Sequence, residues 1–398
     1  MEVLALALVV LVIISLQAYI FKKFGFKKLE YKCEFSTSEA NEGDEIYLIE
    51  TVYNGKLLPI PWLKVELNTS RWLDFAETRS VLTPANRYVT SSFFLKGHQK
   101  VIRRWKLKCI KRGLFRIDRV SLVTGDLLGN ATVSVGKDVS ARLMVYPQTI
   151  ELDKFFAPVN YLHGDVIVKR WIIEDPFVIS GVREYSPNDS LSKIHWNSTA
   201  RTGRLMVRQE DYTSQHGLTV YLNIQSIENE YFGSVYKDYI ELGIKAAATV
   251  FDIAVRNGIP ARFASNGATS DNPREMIFTR EASGRSHIQS LLSILAKLEL
   301  KRIKDFEDFL RNTYLNVTNS DVILITSYLT KPICDILRQM KLYNNKNKVK
   351  ILITNENIDT NALPGDFEVY ILRGMLGKEL KEAFNPGITE SFASTGGS

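Results

Sequence analysis

Along the chain the spacing of apolar side chains changes character twice, and each regime predicts a different kind of element. Residues 3–21, VLALALVVLVIISLQAYIF, are apolar apart from Ser15 and Gln17 and carry no charge. A helix over this stretch reaches about 28 Å, close to the ~30 Å hydrocarbon thickness of a bilayer. From 30 to 147 the period becomes two. Residues 45–53 alternate, residues 101–108 alternate apolar and basic side chains after their first pair, and residues 142–146 close the series. Turn formers separate these runs at Asn54-Gly55, Pro59, Pro61, Lys96-Gly97, Arg112-Gly113 and Gly125-Asp126. Short alternating strands at this spacing predict an antiparallel sandwich.

From 218 onward the pattern changes again. Residues 218–224 form a near-continuous apolar run, as in a strand covered on both faces. A helical pattern spans 236–257 and ends at Gly258; strands are expected at 260–265 and 275–279, and a helix at 286–300. A buried strand at 322–326, a helix near 332–342 and strands at 348–354 and 368–372 follow. Strands alternating with helices predict a doubly wound parallel sheet. The expected organisation is therefore a transmembrane anchor with its basic flank (1–28), an Ig-like antiparallel β-sandwich (29–150), a bridging segment (151–216), an α/β domain (217–384) and a flexible tail (385–398).

Charge bears on the first segment most. Lys22, Lys23, Lys27 and Lys28 follow the apolar run, whereas only Glu2 precedes it, and no small-residue cleavage pattern closes it. This is the arrangement of an uncleaved anchor rather than of a signal peptide. Positive flanks stay on the cytoplasmic side, so the N-terminus is expected outside and the body inside. The N-x-S/T triplets at Asn68, Asn130, Asn197 and Asn316 are then chance sequons. Over the whole 398 residues, 51 basic side chains against 44 acidic ones give +7, mostly interspersed, which predicts a mixed solvated surface and no nucleic-acid partner. Arg103, Lys106 and Lys108 read as the wet face of a half-buried strand. Cys33, Cys109 and Cys334 are far apart, without a CxxC pair, and fit reduced thiols in the cytosol.

Between the two predicted domains lies Gly181-Val182-Arg183-Glu184-Tyr185-Ser186-Pro187-Asn188-Asp189, then Ile194-His195-Trp196-Asn197-Ser198-Thr199-Ala200-Arg201, then Leu205-Met206-Val207-Arg208-Gln209-Glu210. This segment resembles the signature of the domain-of-unknown-function-58 family, a prokaryotic family of membrane proteins. Asn188 stands where that signature has glycine, and Lys193 where arginine is common. Lys111-Arg112-Gly113-Leu114-Phe115 and Asp126-Leu127-Leu128-Gly129 match two further family sequences. Members usually begin with two membrane helices; this chain shows one. Arg183, Tyr185, Asp189, His195, Trp196, Arg201, Arg208 and Glu210 are the signature candidates. They read either as a buried network with Trp196 packed beneath it or as a grip on an acidic partner, since arginine forks suit carboxylates and phosphates. A third reading is a hydrolase acting through Asp189, His195 and Arg201.

The resemblance also implies that the C-terminal domain is similar to the von Willebrand factor A fold, in which many members hold Mg²⁺ on a D-x-S-x-S loop after the first strand. Here that loop is Asn223-Ile224-Gln225-Ser226-Ile227, and Thr326-Ser327-Tyr328 replaces a second acidic loop. Hard dications need anionic oxygen, so Asn223, Gln225, Ser226 and Ser327 are expected to form a degenerate, metal-free loop, and no cofactor is expected. Gly374 to Lys378 is too short for a Walker loop, no H-E-x-x-H occurs, and the five histidines lack ligand spacing. The family is commonly associated with MoxR-type AAA+ ATPases. The resemblance thus implies a non-enzymatic, membrane-tethered adaptor that docks such an ATPase and its client, with a cell-envelope structural protein as the other non-catalytic reading.

Overall fold

The computed structural model describes residues 2–75, 80–126, 132–150, 156–158, 179–186, 194–210, 217–230, 235–343, 348–359 and 363–372. The chain divides into two compact units, 1–148 with 295–297, and 149–294 with 298–398.

The first unit opens with helix α1 (Glu2–Phe24), whose apolar side chains Leu8, Leu11, Val12, Ile13 and Leu16 stand exposed. Ten strands follow: β1 (Leu29–Phe35), β2 (Glu39–Asn41), β3 (Glu45–Asn54), β4 (Ile60–Ser70), β5 (Leu73–Asp74), β6 (Ser80–Leu82), β7 (Asn86–Leu95), β8 (Lys100–Cys109), β9 (Gly113–Gly125) and β10 (Thr132–Tyr146). They form a four-stranded sheet, β1-β3-β8-β5, and a six-stranded sheet, β2-β10-β9-β4-β7-β6. Their pairings are antiparallel except β10 with β2. Alternation supplies the core: Leu48, Val52, Leu63, Val65, Leu67, Val89, Leu107, Leu122 and Leu143 lie in one buried cluster. Each such side chain contributes about 1.5–3 kcal/mol through burial.

The alternation of β8 corrects one expectation. Trp105, Leu107 and Cys109 face inward, and Arg103 shares their parity. Its guanidinium stacks over Phe93 and Trp105, at 4.2 Å and 5.3 Å from the ring centroids. Arg104 is the arginine on the exposed face, with Lys106 and Lys108.

The core also holds a carboxylate. Glu50 is fully buried and accepts from Tyr31 Oη (2.7 Å), Ser91 Oγ (3.1 Å) and Trp105 Nε1 (2.5 Å). Burial, with the charge of Glu50 second, holds the Tyr31 phenol far above its usual range. The same two causes push the Cys33 thiol up to about 12. All three cysteines are buried thiols.

The second unit is built on a seven-stranded sheet. Its strands are β11 (Phe156–Pro158), β14 (Gly217–Leu222), β15 (Ala261–Ser265), β17 (Ile277–Phe278), β19 (Ser320–Thr326), β20 (Val349–Ile353) and β21 (Glu368–Leu372), in the order β11-β21-β20-β19-β14-β15-β17. The five central strands run parallel, and β11 and β17 close the edges antiparallel. One row of side chains, including Tyr221, Leu324 and Ile351, packs with Phe309 of α5 (Phe306–Thr313) and Leu337 of α6 (Lys331–Tyr343). The alternate row reaches α3 (Lys237–Arg256), where a Cβ on Gly243 would lie 2.9 Å from Leu222 Cδ1 and 3.2 Å from Ile325 Cγ2. Helices therefore cover both faces, which is why these strands read as unbroken apolar runs.

Two expectations change here. The helix expected over 286–300 is α4 (Arg285–Lys297), and the chain then extends into β18 (Leu298–Arg302), paired with β16 (Gly267–Thr269). Leu298-Glu299-Leu300-Lys301-Arg302 alternates in period two, which a helix cannot bury on one side. The strand expected at 275–279 is the two-residue edge β17. Asp189, the Gly374–Lys378 stretch and the 385–398 tail lie outside the described residues.

Candidate functional site

The signature segment folds locally for identifiable reasons. Strands β12 (Ile179–Glu184) and β13 (Met206–Glu210) pair antiparallel, so that Val182 faces Arg208 and Arg183 faces Val207 in the register. Between them sits the short helix α2 (Trp196–Thr202), whose cap is His195. The His195 Nδ1 accepts from the Ser198 backbone N–H (3.2 Å) and lies 2.8 Å from Ser198 Oγ. The helix ends at Gly203, whose φ of 69° is the left-handed conformation that glycine adopts without strain. Thr199 Oγ1 accepts from the Met206 N–H (3.0 Å), and the His195 N–H donates to the Met206 carbonyl (2.8 Å), tying α2 to β13.

Ile194 and Val207 form the small buried contact beneath this motif. Trp196 does not: it is 67% exposed, because it occupies the first helical position on the outer side. Tyr185 is half-buried and donates its backbone N–H to the Leu205 carbonyl, while Arg201 is exposed. Among the described residues His195 bonds to Ser198 and not to Arg201. The side chains of Arg183, Arg208 and Glu210, like the whole of Asp189, are outside the described set. A capping role makes a prediction. His195→Ala should lower stability by about 1 kcal/mol, read as a reduced melting temperature. A catalytic residue without structural duty would leave melting unchanged.

The second cluster lies at the carboxyl ends of β15, β14, β19 and β20, where the parallel sheet opens into loops. Asn223 Nδ2 donates to Thr326 Oγ1 (3.1 Å), and Asn223 Oδ1 accepts from the Gln225 N–H (2.9 Å). Gln225 Oε1 accepts from the Phe306 N–H (2.6 Å). Ser327 Oγ donates to the Ser226 carbonyl (2.8 Å). Asn266, which directly follows β15, accepts from the Ile224 N–H (2.9 Å) and donates to the Lys304 carbonyl (3.1 Å). Each of these side chains therefore carries hydrogen bonds that hold loop to loop.

Glu230 was not anticipated from the sequence. It is buried and accepts from the Ser226 N–H (2.9 Å), the Ser226 hydroxyl (2.6 Å) and the Val235 N–H. Ser226 Oγ in turn accepts from the Tyr236 N–H (3.0 Å) at the start of α3. The crest thus contains a carboxylate, although the two loops compared with metal-binding ones do not. The Tyr328 phenol is raised above its usual range, chiefly by burial and further by the charges of Glu228 and Glu230, against a hydrogen bond with Asn223 that lowers it. Arg302 and Asp305 form an ion pair on the same rim, and Gln225 Nε2 reaches Asp305 Oδ1 (3.4 Å). Among the described residues no three His, Cys, Asp or Glu side chains gather as a metal set. Ile227, next to Ser226, and Val235 and Tyr236, at the start of α3, stand exposed.

Residues 181–371 match the family described as protein of unknown function DUF58, a stretch that takes in both the signature segment and the crest. A curated relative, the uncharacterized protein YeaD of Bacillus subtilis (strain 168), is 23% identical over 235 residues, covering 57% of this chain. The chain spans about half the length of that relative, 54%. Among solved structures, a non-cellulosomal cohesin from the archaeon Archaeoglobus fulgidus is 11% identical with a TM-score of 0.21, over 31% of this chain and 94% of that one. The sporulation control protein Spo0M of Bacillus subtilis is 13% identical with a TM-score of 0.18, over 30% and 49%. Scores this low define no shared fold.

Proposed function

We propose that this chain is a membrane-tethered docking protein and not an enzyme. In this reading α1 spans the membrane, the body lies in the cytosol, and the second unit is a metal-free relative of the von Willebrand factor A fold. Its partner is an AAA+ ATPase of the MoxR type together with a client protein. The observation that carries the reading is the crest. Its polar side chains hold one another, and Ile227, Val235 and Tyr236 are left exposed at the carboxyl ends of parallel strands, where ligands of such sheets gather. Exposed apolar and aromatic side chains beside hydrogen-bonded positions suit a protein partner. The apolar helix with its lysine flank supports the anchor and its orientation. The match over 181–371 supports the family assignment.

The test is co-purification of the tagged full chain from native membranes with crosslinking. The expected result is recovery of an AAA+ ATPase. Ile227→Asp/Val235→Asp/Tyr236→Asp should lose that partner by at least about tenfold while the chain stays folded, since each side chain is more than a third exposed. Wild-type chain that recovers no ATPase would overturn the reading.

One contact favours a rival. His195 Nδ1 lies 2.8 Å from Ser198 Oγ, the spacing of a base and a hydroxyl nucleophile. The same nitrogen also caps a backbone N–H, and the His195→Ala melting test separates the two roles.

A further inference from the structure

We propose that one end of the β-sandwich is itself seated in the headgroup layer of an anionic leaflet, with the Leu57 turn as its inserted tip. This rests on the reading of α1 as a membrane span. The first observation is a joint between that helix and the sandwich. Ile14, Gln17, Ala18, Phe21 and Gly25 recur at helical spacing and are half-buried or buried, whereas Ile13, Leu16, Tyr19, Lys22 and Lys23 around them are exposed. Gln17 Nε2 donates to the buried Asp126 just beyond β9 (3.3 Å). Gly25 has no room for a side chain, since a Cβ would sit 2.6 Å from the Phe21 carbonyl oxygen and 3.3 Å from Thr124 Cγ2. Lys56 Nζ donates to the Gly25 and Lys27 carbonyls, and the Gly55 N–H donates to the Lys28 carbonyl (2.8 Å). The 55–58 turn is thereby strapped to the base of the helix.

Length then fixes the depth. Residues 3–13, above the joint, reach only about 16 Å, which is short of the ~30 Å hydrocarbon layer. A full crossing must therefore include the level of Gln17 to Phe21, where the sandwich already touches the helix. That places the neighbouring turns at the height of the headgroups.

Their chemistry suits this position. Leu57 is 82% exposed at the tip, and Tyr19, Phe24 and Trp62 supply aromatic rings at the same end. Trp62 Nε1 donates to the Asp126 carbonyl (3.1 Å), so its ring is held in place. The stretches 22–28, 55–59 and 96–100 contain Lys22, Lys23, Lys27, Lys28, Lys56, Lys96 and Lys100 and no acidic residue. Lysines near a membrane surface are attracted to anionic lipid.

The test places one nitroxide at a time on the full chain in vesicles of phosphatidylcholine with phosphatidylglycerol. The labels go on Leu57→Cys, Leu11→Cys and Val81→Cys, because the three native thiols are buried. Val81 lies on β6 opposite Tyr88, about 20 Å along β7 from Leu95 at the proposed membrane end. The expected result is a Leu57 label shielded from an aqueous nickel relaxant and open to oxygen, with the Val81 label fully open to nickel. Lys96→Glu/Lys100→Glu should remove that shielding. A Leu57 label as open to nickel as Val81, beside a lipid-immersed Leu11 label, overturns this proposal alone. A Leu11 label open to nickel overturns the anchor reading and this proposal with it.

Discussion

Glu50→Ala is expected to destabilise the sandwich by about 3–5 kcal/mol. The carboxylate is fully buried between the sheets and is the acceptor for Tyr31, Ser91 and Trp105. Alanine would leave two buried donors, Tyr31 and Ser91, and the half-buried Trp105 unpaired, each buried one worth about 1–3 kcal/mol, and would add a cavity. In a unit of this size the loss should appear as a fall in melting temperature of about 10 °C or more. Glu50→Gln keeps one acceptor oxygen and should lose roughly half as much. Equal melting of wild type and Glu50→Ala would mean that water satisfies those donors and that the network adds little.

Glu50 was also the hardest part of the sandwich to read in the sequence. Alternation located β3 and β8, because a half-buried sheet repeats every two residues. In Glu45-Ile46-Tyr47-Leu48-Ile49-Glu50 the parity does place Glu50 inward with Ile46 and Leu48, against the ordinary expectation for a carboxylate. Two successive arginines blurred β8 in the same way. Only the parity shared with Trp105 and Leu107 reveals that Arg103, and not Arg104, turns toward the core.

In the second unit the parallel strands were legible because both faces are covered. The loops were less so. β12 and β13 are the two ends of the signature segment, with 185–205 between them, and no local period joins strands that far apart. His195 and Ser198 carried a readable signal, a polar side chain three residues ahead of another with Gly203 as the stop. In the sequence, however, His195 reads as a member of the charged signature cluster rather than as a helix cap. The crest loop was compared position by position with a metal-binding pattern. That pattern has its aspartate replaced by Asn223 and a serine by Gln225, and it does not extend to Glu230, whose partners are two backbone amides and the Ser226 hydroxyl.

Glu230→Ala is therefore the exchange that separates a scaffold role from a contact role at the crest. Glu230 is buried, so a partner protein cannot touch it, yet it anchors the loop that displays Ile227, Val235 and Tyr236. Removing the carboxylate leaves the Ser226 and Val235 amides without their acceptor, at a cost of about 3 kcal/mol. If that energy holds the loop closed, the two amides should exchange with solvent about a hundredfold faster, while the amides of β14 and β19 remain protected. Partner binding should weaken alongside, since a mobile loop must be ordered again on docking. The exposed Glu228→Ala, two residues earlier, should change neither quantity appreciably. Unchanged exchange in Glu230→Ala would show that the loop is held by the Ser327 and Asn266 bonds instead. Faster exchange with undiminished partner recovery would move the docking surface away from Ile227, Val235 and Tyr236.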